Sequence, residues 1–168
     1  MYGIGDSVVY PLHGAGTIEA IEEREVSGLM HRYYAMRIPL GDMKVLIPVD
    51  STEKIGVRDI ITEEEADKVI EEFKIVECDA GLNWNKRFRE NMVKIKSGNI
   101  YEVASVVKSL MMRDKQKGLS TGERKMLANA KQILISEIVI SKNTTYEVVD
   151  KELRAIVENE MLQEQKAD

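Results

Sequence analysis

The hydrophobic period of this chain changes once, at Ile60-Ile61, and that change sets the architecture it can adopt. Before it, apolar residues come in short runs broken by Gly and Pro; after it they recur about every 3.6 residues. Ser7-Val8-Val9-Tyr10 stops at Pro11. Ala15 to Val26, with Ile18 and Ile21, ends at Ser27-Gly28, and Leu29 to Ile38, with Tyr33, Tyr34 and Met36, ends at Pro39 and Gly41-Asp42. Met43-Lys44-Val45-Leu46-Ile47-Pro48-Val49 reads as a further strand. All three prolines of the chain fall at these boundaries, where a missing N–H does least harm to a ladder. Short strands with turn residues between them predict a small curled sheet or SH3-like barrel over residues 1–60.

Residues 61–168 read as an all-α helical bundle, giving an α+β chain of two domains. Thr62-Glu63-Glu64-Glu65 is a capping box, in which the Thr62 hydroxyl accepts an orphan backbone N–H, and its helix runs to about Lys74. Asn99 with Glu102, Ser120 with Glu123 and Thr144 with Glu147 repeat the signal, while Gly98 and Gly118 mark helix ends. Val103, Val107, Leu110 and Met111 form one apolar stripe, and Met126, Leu127, Ala130, Ile133, Leu134 and Ile138 another. Between the first helix and Trp84, Cys78-Asp79-Ala80-Gly81-Leu82-Asn83 reads as a loop whose Asn83 caps a new helix.

The charge is divided between regions. Trp84 to Lys131 holds twelve cations and four anions, a net of +8, whereas the rest of the chain keeps 12 of the 24 cations and 25 of the 29 anions, a net of −13. A pI near 5.3 therefore conceals a segment that can hold a phosphate backbone. The lone tryptophan heads this segment in Asn83-Trp84-Asn85-Lys86-Arg87-Phe88-Arg89. Spacing aligns Trp84 with Phe88, Met92 and Ile95, the pattern of a buried stripe. A side chain in a first turn points back beyond the helix end, however, so the indole can also overhang the bundle with Lys86, Arg87 and Arg89 around it. Cations around a flat ring suit a nucleic-acid binder: the charges hold the backbone without reading sequence, and the ring stacks on or between opened bases.

Catalysis and metals find no support. No Gly-rich phosphate loop, His-Glu metal helix or nucleophile elbow occurs, so neither a catalytic residue nor a cofactor is assigned. One cysteine, Cys78, and two histidines, His13 and His31, are too few for a usual zinc site. Glu77 and Asp79 should raise the Cys78 thiol pKa, and His13 beside Gly14 reads as a turn residue. The carboxylates of Glu63, Glu64 and Glu65 point around a helix and complement its positive start. No apolar run approaches a bilayer span and no signal peptide opens the chain, so a cytoplasmic protein without a membrane partner is expected.

Gly5-Asp6-Ser7-Val8-Val9-Tyr10-Pro11-Leu12-His13-Gly14-Ala15-Gly16, Ile55-Gly56-Val57-Arg58-Asp59, Asn83-Trp84 with its basic followers, and Arg113-Asp114 leading through Gly118-Leu119-Ser120 to Glu123-Arg124-Lys125-Met126-Leu127 together resemble the CarD/CdnL family of bacterial transcription regulators. The first of these segments is also similar to the polymerase-interacting domain of the transcription-repair coupling factor. The resemblance implies a Tudor-like N-terminal domain that docks on the RNA polymerase β subunit. It also implies a helical domain on promoter DNA at the upstream edge of the transcription bubble, with a tryptophan wedge in the minor groove; the residues themselves carry no base-reading signature, so little sequence specificity is expected. Trp84 takes the wedge position, with Lys86, Arg87, Arg89, Arg124 and Lys125 in the basic positions around it. On the polymerase side, Arg24 matches a family arginine; a second arginine is replaced by Leu46, with Lys44 two residues earlier on the same strand face. A monomer, associated with the nucleoid through RNA polymerase, is the expected state. The rival is a protein-only interaction module in which Trp84 is core or a protein contact.

Overall fold

The computed structural model describes residues 1–40, 42–78 and 83–167. Gly41, and Asp79-Ala80-Gly81-Leu82 of the loop expected before Trp84, lie outside the described residues.

The N-terminal part is an antiparallel sheet of β1 (Ser7–Tyr10), β2 (Gly14–Val26), β3 (Leu29–Ile38), β4 (Met43–Pro48) and β5 (Arg58–Asp59), in the order β4-β3-β2-β1-β5. The first four strands form a meander, and a 3-10 turn (Val49–Ser51) with the short α1 (Thr52–Ile55) carries the chain across to pair β5 with β1. Alternation puts Val8, Ile18, Tyr34, Met36, Ile38 and Ile47 in one core. A bulge at Glu19 breaks the β2–β3 register between Ile18 and Ala20, so that Ala20, Glu22 and Arg24 share the face opposite that core.

The helical part comprises α2 (Glu63–Ile75), α3 (Trp84–Lys96), α4 (Ile100–Gln116), α5 (Thr121–Lys142) and α6 (Tyr146–Ala167). Local chemistry sets most ends: Thr62 accepts from the Glu65 N–H, Asn83 from Lys86, and Ser120 from Glu123, while Gly98 and Gly118 stop helices at φ of 75° and 78°. Two caps differ from the sequence pattern. Asn99 accepts from the N–H of Tyr101. Thr144 does not open α6; its N–H closes α5 on the Val139 carbonyl behind the left-handed Asn143, and Thr145 takes the next start, accepting from Val148. Both predicted apolar stripes meet in one core, with Leu110, Leu134, Ile135 and Ile138 inaccessible and only Leu127 partly exposed. Helix α5 is central: it packs on α2, α4, α6 and, from its middle, on β2.

Candidate nucleic-acid interface

Helix α3 is rotated relative to its apolar stripe. The face turned to the bundle carries Arg87, Asn91 and Ile95, so the Trp84, Phe88, Met92, Ile95 row runs from solvent inward. Trp84 is 43% exposed. Its ring stacks on Phe88, with centroids 5.0 Å apart and planes 18° from parallel, and its indole Nε1–H donates to Ser120 Oγ at 3.2 Å. Gly122 supplies the adjoining floor: a Cβ there would stand 3.5 Å from the Phe88 ring and 4.0 Å from the indole. One face of the indole is thus held against Phe88 while the residue keeps substantial access to solvent.

The support beneath it is ionic. Glu123 is 2% exposed. It receives Arg87 Nε at 3.2 Å on one oxygen and the Ser120 hydroxyl at 3.2 Å on the other, with Arg113 Nε 3.9 Å away. Burial by itself pushes the Glu123 carboxyl pKa up; the Arg87 guanidinium and the Ser120 N–H and hydroxyl outweigh burial and hold it below its ordinary value. The Ser120–Glu123 capping box therefore tethers the indole through Ser120 and Arg87 through Glu123.

The cations expected around Trp84 divide accordingly. Lys86, Arg89, Arg124 and Lys125 are exposed and make no ion pair among the described residues. Arg87, expected at the DNA-facing surface, is only 8% exposed and is occupied by Glu123. The reason is periodic: Arg87 lies four residues before Asn91 and eight before Ile95, on the buried row. Other members of the basic segment are also engaged internally. Lys108 is inaccessible, donating to the carbonyls of Lys74 and Val76 at 3.0 and 2.9 Å and pairing with Glu160 at 2.7 Å, and Lys115 and Lys131 pair with Glu158 and Asp150. The unpaired charge is therefore concentrated on fewer residues than the count suggests.

On the sheet, Arg24, Lys44 and Leu46 share the outer face, since Leu46 lies opposite Ala35, which is opposite Ala20. Glu22 joins the two cations, its carboxylate 3.0 Å from Arg24 on one oxygen and bound to Lys44 on the other. The Lys44 ammonium first, then Arg24, lowers the Glu22 pKa. Strand alternation gave the shared face of Lys44 and Leu46, but Glu22 as the link across β3 needed the register.

His13 sits in the turn after β1, its ring edge-on to Tyr10 at 4.6 Å. The Cys78 pKa is raised, first by burial, with Lys108 opposing and Glu160 and Glu164 adding to it; Asp79, expected to contribute, is outside the described residues. No group of three or more metal-ligating side chains assembles, and no helix is long and apolar enough to cross a membrane, among the described residues.

Comparison with known proteins gives matches over both parts. Residues 2–61 match the family described as CarD-like/TRCF RID domain, and residues 68–154 match the CarD C-terminal domain. A curated relative, "Putative transcription factor YdeB" of Bacillus subtilis (strain 168), is 41% identical over 145 residues, covering 86% of this chain and 95% of its own. The solution NMR structure of the 72-residue N-terminal domain of Myxococcus xanthus CarD is 34% identical, covers 35% of this chain and 79% of that one, and superposes with a TM-score of 0.31. With both family domains present in order, the chain belongs to the CarD family of transcription regulators.

Proposed function

We propose that this chain is a two-handed adaptor: its β-domain, residues 1–60, grips the RNA polymerase β subunit, and its helical domain, residues 61–168, engages promoter DNA at the upstream edge of the bubble. Trp84 acts as a wedge against opened base pairs, while Lys86, Arg89, Arg124 and Lys125 neutralise phosphates with little sequence preference. Arg87 serves from below, fixing Glu123 and through it Ser120. Arg24, Lys44 and Leu46 form the polymerase-facing patch. The observation that carries the reading is the partly exposed indole, held on Phe88 and Ser120 at the starts of α3 and α5, the two helices that also carry the exposed Lys86, Arg89, Arg124 and Lys125.

Such an adaptor changes transcription only if it binds the open complex better than the closed one. Contacts made to opened bases meet that condition. Base–aromatic stacking contributes about 1–3 kcal/mol, which lengthens the lifetime of the open state roughly five- to a hundredfold. The polymerase grip raises the local concentration of a weak DNA hand. The test is the half-life of a preformed open complex with parent and Trp84→Ala protein: the variant should lose the gain and still bind polymerase. Equal half-lives would remove the wedge. Trp84 fluorescence that ignores forked DNA would favour the protein-only module.

A further inference from the structure

Two stretches that carry the family resemblance contribute to neither proposed binding surface: the turn Leu12-His13-Gly14-Ala15 and Arg58. Both end on one face of α5. Glu137, five residues before the end of that helix, is wholly inaccessible, and a carboxylate there needs compensation. Arg58, from β5, supplies it by a two-point ion pair: Nη1 donates to Oε2 at 2.7 Å and Nη2 to Oε1 at 2.8 Å. The N–H of Ile61 adds a third bond to Oε2 at 3.0 Å. Arg58 also donates from Nε to the Gly98 carbonyl at 3.2 Å, in the turn between α3 and α4, and from Nη1 to the Asp59 carbonyl at 3.0 Å.

The β1–β2 turn is seated beside it. Ser136 Oγ accepts the Ala15 N–H at 2.9 Å, and Gln132 Nε2 donates to the His13 carbonyl at 2.7 Å. Gly14 has φ of 116°, and a Cβ there would stand 2.6 Å from Ser136 Oγ and 3.3 Å from the Gln132 carbonyl oxygen. The turn backbone therefore lies directly on the helix, at a distance only glycine permits.

We propose that the Arg58–Glu137 pair and the Gly14–Ser136 seat form a latch that makes the β-domain and the helical bundle one rigid lever, with Arg58 and Glu137 as positioning residues for Trp84. The lever is α5 itself: its C-terminal half holds the β-domain, and its N-cap Ser120, about 25 Å from Glu137 along a continuous helix, holds the indole. A two-point ion pair with a buried carboxylate and a partly exposed guanidinium suits this role because its value is geometric, fixing one orientation, more than energetic. With the latch closed, gripping the polymerase fixes where the wedge stands; with it open, the DNA hand swings and its effective concentration at the bubble edge falls.

The inference rests on the two-handed reading, and its test separates the two. Full-length Glu137→Gln, and separately the double variant Gln132→Ala/Ser136→Ala, are compared with the parent in nitrogen-15 relaxation, polymerase capture, forked-DNA binding and open-complex half-life. The latch predicts one tumbling time for the parent and two in each variant. Polymerase capture and DNA binding should stay within about twofold, while the half-life gain falls about threefold or more. Variants that still tumble as one body, or that tumble as two but keep the full gain, overturn it. The double variant strands no buried charge and carries the test if Glu137→Gln fails to fold. A parent without any half-life gain removes the adaptor reading and the positioning role with it, while the relaxation comparison still decides whether the latch exists.

Discussion

The indole N–H of Trp84 donates to Ser120 Oγ across 3.2 Å, binding the first turn of α3 to the N-cap of α5. Ser120→Ala removes that acceptor and the cap together, and cap loss alone costs about 1 kcal/mol. Ser120→Asn restores a good cap without placing an acceptor at the same reach. Both variants should show faster local motion of the single tryptophan in time-resolved fluorescence anisotropy, and both should give open-complex half-lives between those of the parent and Trp84→Ala. A Ser120→Asn protein with parental anisotropy and half-life would show that the hydrogen bond does not position the ring.

The buried ion pair predicts a division among cations that the sequence groups together. Arg87→Ala leaves Glu123 without its closest guanidinium, and breaking a buried pair from one side costs about 3–5 kcal/mol. Arg124→Glu and Lys125→Glu act at exposed positions and should leave stability within about 0.5 kcal/mol. Those surface variants should weaken DNA binding and reduce the slope of log affinity against log salt, by about one unit for each phosphate no longer neutralised. Urea melts and salt titrations on the same proteins check both halves. An unchanged slope in Arg124→Glu would place the DNA-facing surface elsewhere.

That division marks where sequence legibility ends. The strand-to-helix change at Ile60-Ile61, the Thr62, Asn83 and Ser120 caps and both apolar stripes follow from local chemistry, and they appear as expected. Arg87 and Lys108 read as surface charge in the sequence because composition weighs every cation equally. Their burial depends on which row of α3 or α4 faces the bundle, and on carboxylates more than thirty residues away, Glu123 and Glu160. Thr144 has a valid cap pattern but loses the place to Thr145, since the left-handed Asn143 draws its N–H into the end of α5. Ser120 is legible as a helix start; its second role as the indole's acceptor needs α3 and α5 to be brought together.

Glu123 also predicts an acid response. Its folded pKa lies below the ordinary value of 4.5, so it contributes stability that is fully present above that pH. That contribution is lost as pH falls through the lower folded pKa. Comparing parent with Glu123→Gln, the stability difference should be constant above about pH 5.5 and should shrink progressively below about pH 4.5. Because Ser120 links Glu123 to the indole, Trp84 emission in the folded parent should change over the same acid range, and in Glu123→Gln it should not. A stability difference that grows on acidification would contradict the assigned direction of the shift.

The sheet face predicts how polymerase binding responds to charge. Arg24 and Lys44 share Glu22, an exposed arrangement whose internal pairing adds little to stability and is readily exchanged for a partner's carboxylate. Arg24→Glu reverses one of the two cations beside an existing carboxylate and should abolish capture of the polymerase β subunit, leaving forked-DNA affinity unchanged because the bundle's cations are on the other domain. Leu46 lies on the same outer face, where the family resemblance implies a second arginine. Leu46→Arg should therefore tighten capture severalfold, mainly through a faster on-rate that declines with added salt. Surface-coupled binding assays with the isolated β subunit distinguish the outcomes: an Arg24→Glu protein captured like the parent, or a Leu46→Arg protein with no gain at low salt, would move the polymerase contact off this face.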